Sequence, residues 1–135
     1  MAIQLGTTLR NNILDQIEST AGTSAKIEIR TGAPPANCAA ADSGTLLVTY
    51  SLASDWAAAA SGGTKVLNSL PISGTASNTG TAGHYRLKDS TQTTTHMQGT
   101  ITATGGGGDM TVDNTSIVSG QSVNITAGTF TAPGA

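Results

Sequence analysis

His84 and His96 are the only histidines in the chain, and imidazole is the side chain suited both to ligate a metal and to take up a proton at mildly acidic pH. In a β-hairpin over 83–104 the two fall on one polar face, with His96 opposite Arg86. A metal site needs at least a third ligand. The guanidinium repels a cation, and the nearest acids, Asp89 and Asp109, stand at a turn and beyond a glycine run. That face is therefore expected to be a polar surface, exposed or interfacial, and no metal is expected. Asp109 and Asp113 lack the dense oxygen spacing of a calcium loop and read as turn-forming and strand-end acids. Cys38 is the only cysteine, so it has no internal disulfide partner and no CxxC context. Serine and threonine are plentiful, but neither GxSxG nor a His-Asp arrangement accompanies them. The four glycines 105–108 are not followed by the lysine of a phosphate loop, so they are expected to form a turn. The Asn-x-Ser/Thr triplets at Asn114 and Asn124 arise readily by chance in a Thr-rich chain. No catalytic or cofactor-binding residue is assigned, and the chain is not expected to be an enzyme.

Charged residues make up only 10% of the 135 positions, against about a quarter in an average domain, and threonine alone outnumbers them. A charge-poor, Thr-rich surface suits strands, because a β-branched side chain fits a pleated face. It also suits a protein that lies packed against others. The net charge of −2 comes from six basic and eight acidic side chains scattered singly, so nucleic acid is not an expected partner. The opening MAIQLGTTLR has no signal-peptide pattern and no stretch is long enough to cross a bilayer. The protein is expected to be soluble, to start near Met1 and to have no membrane partner.

The elements that must position these residues follow from periodicity. Over 6–21, Leu5, Leu9, Ile13 and Ile17 recur every fourth residue with Leu14 beside them, which predicts an amphipathic helix capped by Thr7 or Thr8 and stopped at Gly22. Its apolar stripe could lie on the chain's own sheet or on a neighbouring subunit. Strict alternation over 25–30 predicts a half-buried strand with Ala25, Ile27 and Ile29 inward. A surface loop carrying Pro34-Pro35 follows and is long enough to contact something. The apolar run 46–52 predicts a strand near the centre of the sheet. Trp56 is either a core anchor or an exposed contact. Residues 65–73, broken by Pro71, predict an edge strand or two short pieces. In the hairpin, Tyr85 and Leu87 point to the apolar face, and pairing Tyr85 with Met97 and Leu87 with Thr95 leaves a loop around 90–92. Met110 and Val112, Ile117 and Val118, then Val123, Ile125 and Phe130 mark three more pieces. One helix and seven or eight short strands predict a single mainly β domain over 1–135: an N-terminal helical segment, 1–22, and an antiparallel β-sandwich or jelly roll, 23–135.

Taken in order, LRNNILDQIE, KIEIRTG, APPANCAAADSGTLL, GTAGHYRLKDS and NTSIVSGQSVNIT resemble small structural proteins of tailed bacteriophages. The resemblance lies in composition and element order over most of the chain, with no active-site motif. It implies a virion component, foremost a capsid decoration (cement) protein. Such a protein would be β-rich, made in the host cytoplasm and placed on the capsid surface as a homo-oligomer, a trimer by preference. It would clamp the major capsid protein or other virion proteins. Contacts are expected at Leu5, Leu9, Pro34, Pro35 and Trp56. The rivals are a neck, tail or fibre-associated protein and a carbohydrate-binding β-sandwich, for which one Trp and two Tyr are few aromatic platforms.

Overall fold

Ala25, Ile27 and Ile29 are fully buried, as their alternation requires, and they lead into strand β1 (Lys26–Thr31) at the heart of the fold. The computed structural model describes residues 3–135. After helix α1 (Thr7–Ala21) and β1 come β2 (Leu46–Ser51), β3 (Thr64–Val66), β4 (Ile72–Thr75), β5 (Gly80–Lys88), β6 (Thr95–Ala103), β7 (Met110–Val112), β8 (Ser116–Ile117) and β9 (Ser122–Thr131). The protein is mainly β with one helix near its N-terminus. The strands join in a single sheet ordered β2-β1-β5-β6-β7-β9-β3, with β4 also on β9 and β8 on β5. Pairing is antiparallel except between β6 and β7, which run parallel, so the sheet is mixed.

A parallel pair normally needs a crossover of a dozen or more residues. Here the short run 104–109 suffices because it is mostly glycine. Gly105 and Gly107 adopt φ of +85° and +81°, and a side chain on Gly106 would strike Thr102, whose Oγ1 accepts from the Gly108 N–H at 3.0 Å.

The sheet curls until its two ends meet. β2 lies at one end, not near the centre as its apolar run suggested. It is apolar on both faces because the segment around β4 folds against it. Leu47 O accepts from Ser77 N at 2.8 Å, and a side chain on Gly74 would collide with Val48 and Tyr50. The Tyr50 hydroxyl crosses the interior to donate to Val123 O on β9 at 3.0 Å. Inside the curl Ile27, Ile29, Tyr85, Leu87, Ile101, Met110, Val123 and Ile125 form the core. The broken segment around Pro71 resolves into two short strands, β3 and β4, as expected.

Helix α1 docks differently from expectation. Leu14 and Ala21 are buried and Ile17 partly so, whereas Leu9 and Ile13 face outward. The helix starts at Gly6 without a side-chain cap, so neither Thr7 nor Thr8 plays that role, while Gly22 ends it with φ +79°.

Candidate functional site

The hairpin forms as expected but in a register two residues from the one expected, which separates His96 from Arg86. Tyr85 pairs with Gly99, Leu87 with Met97 and Lys88 with Thr95, so His96 is an extra residue bulged out of β6. Gly99 explains the register, because a side chain there would overlap the Tyr85 ring. Arg86 consequently faces Gln98, not His96. The apolar face is as expected, with Tyr85 and Leu87 buried.

The polar face is the surprise. His84, Arg86 and Lys88 are 0%, 1% and 4% exposed, so this face is no open polar surface: the Pro-Pro loop lies across it. The Arg86 guanidinium is the peg. It donates to Cys38 O at 2.8 Å and to Ala40 O at 3.1 Å, and it pairs with Asp42. Lys88 Nζ reaches Asp42 at 2.7 Å and Glu28 at 3.2 Å. Arg30 joins the same two carboxylates at 3.1 and 2.9 Å. At the loop's start Gly32 O pairs with His84 Nδ1 at 2.9 Å, and Gln98 Nε2 donates to Pro35 O at 2.7 Å. Glu28, 2% exposed, also accepts from Gln92 in the β5–β6 turn at 2.8 Å.

Three cations therefore share two carboxylates, and loop carbonyls take up the remaining positive field. Burial opposes the charge on Asp42, but the hydrogen bonds from Lys88 and Arg86 and the field of Arg30 outweigh it, holding its carboxyl below the usual carboxylate range. These groups are already engaged with one another, and His84 is sealed beneath the loop, so the cluster has the form of a clamp on residues 32–44. Its outward side exposes Ala33, Ala36, Asn37, Ala39 and Ala41. Beside it an open groove of roughly 500 Å³ runs between residues 38–42 and the 92–95 turn, floored by Arg86 and Lys88.

The predicted contact residues are dispersed. Pro34 and Pro35 are half-buried in the clamped loop. Trp56 is 2% exposed and donates from Nε1 to Gly22 O at 3.3 Å, which makes it a core anchor between helix end and sheet. Leu5 is half-buried, with its N–H on Gly134 O at 2.8 Å, and Leu9 is 51% exposed. Among the described residues no three His, Cys, Asp or Glu gather to hold a metal. Asp109 accepts from Thr100 and Asp113 from Asn124, so both acids tie strand ends.

No family model, curated protein or solved structure matches the chain. The site must therefore be interpreted from its own geometry.

Glu28, Arg30, Asp42 and Lys88 are the members of the clamp that sequence reasoning did not single out as site residues, although alternation places Lys88 on one face with His84 and Arg86. A signal existed: in a chain with six basic residues, three of them sit at alternate positions on neighbouring strands. Loop residues 32–44 supplied the missing cover.

Proposed function

We propose that this chain is a structural protein of a tailed-bacteriophage particle that binds and stabilises the capsid shell as a decoration protein. The supporting observation is the clamp. A scarce set of charges is buried to hold the 32–44 loop in one shape, and that loop presents small uncharged residues outward. A pre-fixed loop loses little conformational freedom on binding, and a small-residue surface allows backbone to approach a partner closely. Each contact need only be modest, since a shell repeats it many times. The major capsid protein, or another virion protein at the neck or tail, is the partner this favours. A sugar-binding role has weaker support, because Trp56, Tyr50 and Tyr85 are all buried and leave no exposed aromatic platform among the described residues.

The test uses shells purified without this protein. Adding the purified chain should raise their resistance to heat, and Ala36→Arg with Ala39→Arg, both exposed loop positions, should abolish binding while leaving the unfolding midpoint unchanged. Shells that neither bind the native chain nor gain heat resistance from it would overturn the proposal.

A further inference from the structure

The clamp accounts for most of the polar atoms sealed beneath the 32–44 loop, but three are left over. Among the described residues Arg86 Nε, His84 Nε2 and Gln98 Oε1 are buried and meet no partner within the chain. His84 and Arg86 are 0% and 1% exposed, so the open solvent around the protein does not serve them. Buried polar groups in a folded chain are rarely left so. Each of the three side chains is already held at its other end. The Arg86 Nη atoms donate to Cys38 O and Ala40 O, Gln98 Nε2 donates to Pro35 O, and His84 Nδ1 meets Gly32 O at 2.9 Å. None can therefore swing away to find another partner. They are also neighbours, because His84 and Arg86 alternate on one face of β5 and Gln98 lies across from Arg86 on β6.

The bonds already made fix which of these atoms donate. A carbonyl only accepts, so the neutral His84 ring carries its proton on Nδ1, toward Gly32 O, and Nε2 is an acceptor. The three atoms thus offer one donor, the Arg86 Nε–H, and two acceptors, His84 Nε2 and Gln98 Oε1. An anion would meet two acceptors there, and a metal ion would meet a guanidinium. We propose that internal water completes the clamp, accepting from Arg86 Nε–H and donating to Gln98 Oε1 and on to His84 Nε2. A buried water makes about three hydrogen bonds, and its two hydrogens match the two acceptors. Cross-strand neighbours such as Arg86 and Gln98 stand about 5 Å apart, a span that one water bridges. The groove of roughly 500 Å³ between residues 38–42 and 92–95 is also lined by Arg86 and adjoins the site. Water so placed lies under the loop, and ties its 32–35 start to its 38–42 stretch through the same guanidinium.

A crystal structure of the purified chain that resolves ordered solvent, with oxygen-17 relaxation dispersion of water in solution, tests the proposal. Density should stand within hydrogen-bond reach of both Arg86 Nε and Gln98 Oε1. The dispersion should show water held for longer than the protein takes to tumble. Gln98→Leu removes one acceptor and puts an apolar group in its place, so it should lower the dispersion amplitude by about one water, with circular dichroism unchanged. Nitrogen-15 shifts of the histidine rings at neutral pH should give His84 the proton on Nδ1. Arg86 Nε bonded directly to Gln98 Oε1, no solvent density at either atom, a proton on His84 Nε2, or an amplitude indifferent to Gln98→Leu overturns the proposal. No shell enters these measurements, so the water site holds or fails independently of shell binding.

Discussion

Asp42 stands at the junction of the clamp, with one carboxylate oxygen on Arg86 and the other on Lys88 and Arg30. Its side chain is 32% exposed, so water screens part of each pairing, and Asp42→Asn should lower stability at neutral pH by about 2 kcal/mol, below the range for a fully buried ion pair. The pH dependence follows from its lowered carboxyl. A depressed folded-state value means that the contribution is present above the ordinary carboxylate value near 4 and is lost as pH falls through the folded value. Urea unfolding at stepped pH should therefore show the native chain losing its advantage over Asp42→Asn as acid is added, the two converging at the lowest pH. Parallel curves across that window would remove Asp42 from the clamp. His84 and Arg86 were legible as residues sharing a face. That the face is covered was not, because the loop that covers it binds through its backbone carbonyls, and any sequence has those.

At the level of elements, alternation is read most directly. The hairpin, β1 and the division at Pro71 follow from side-chain period and from a residue that cannot donate to a ladder. Register is harder. The two-residue offset kept Tyr85 and Leu87 on the expected face, and only the fit of the Tyr85 ring over Gly99 and the bulge at His96 select the real pairing. For α1 the apolar period misled, since Leu9 and Ile13 belong to the outer face and the polar set Asn11, Asp15 and Glu18 makes the dock, accepting the N–H groups of Gly63, Ala60 and Ala57. Burial pulls the Lys65 ammonium toward neutrality, but Asp15 and Glu18 outweigh it and raise its value above the ordinary lysine range. The dock is therefore complete below about pH 10.5 and weakens as pH rises through that raised value. Lys65→Met should cost about 1 to 2 kcal/mol, because the two acids it leaves are partly hydrated. Chemical denaturation followed at 222 nm reads this loss, and a variant as stable as the native chain would show that Lys65 adds nothing to the other contacts that hold the helix.

At the scale of the whole molecule, strand count and composition gave the mainly β class, while the closure of one curled sheet was out of reach. Nothing in the run 46–52 distinguishes a central strand from a terminal one whose second face is covered by β4. Tyr50 marks the difference, because its hydroxyl spans from β2 to Val123 O. Burial and the charge of Asp113 push that hydroxyl's ionisation well upward, so it stays a donor at neutral pH. Tyr50→Phe removes a buried hydrogen bond and should cost about 1 kcal/mol, read as a lowered urea midpoint; an unchanged midpoint would mean that the hydroxyl adds nothing to the other contacts between β2 and the rest of the sheet. The latch between Arg10 and Ala132, 122 positions apart, bears on biosynthesis. A chain emerging from the ribosome makes this helix well before the carbonyl that receives Arg10. Nascent α1 can lie on the 57–63 segment and on Lys65 long before Ala132 is made, so the Arg10 latch closes only after β9 is in place, as a lock on a helix already seated.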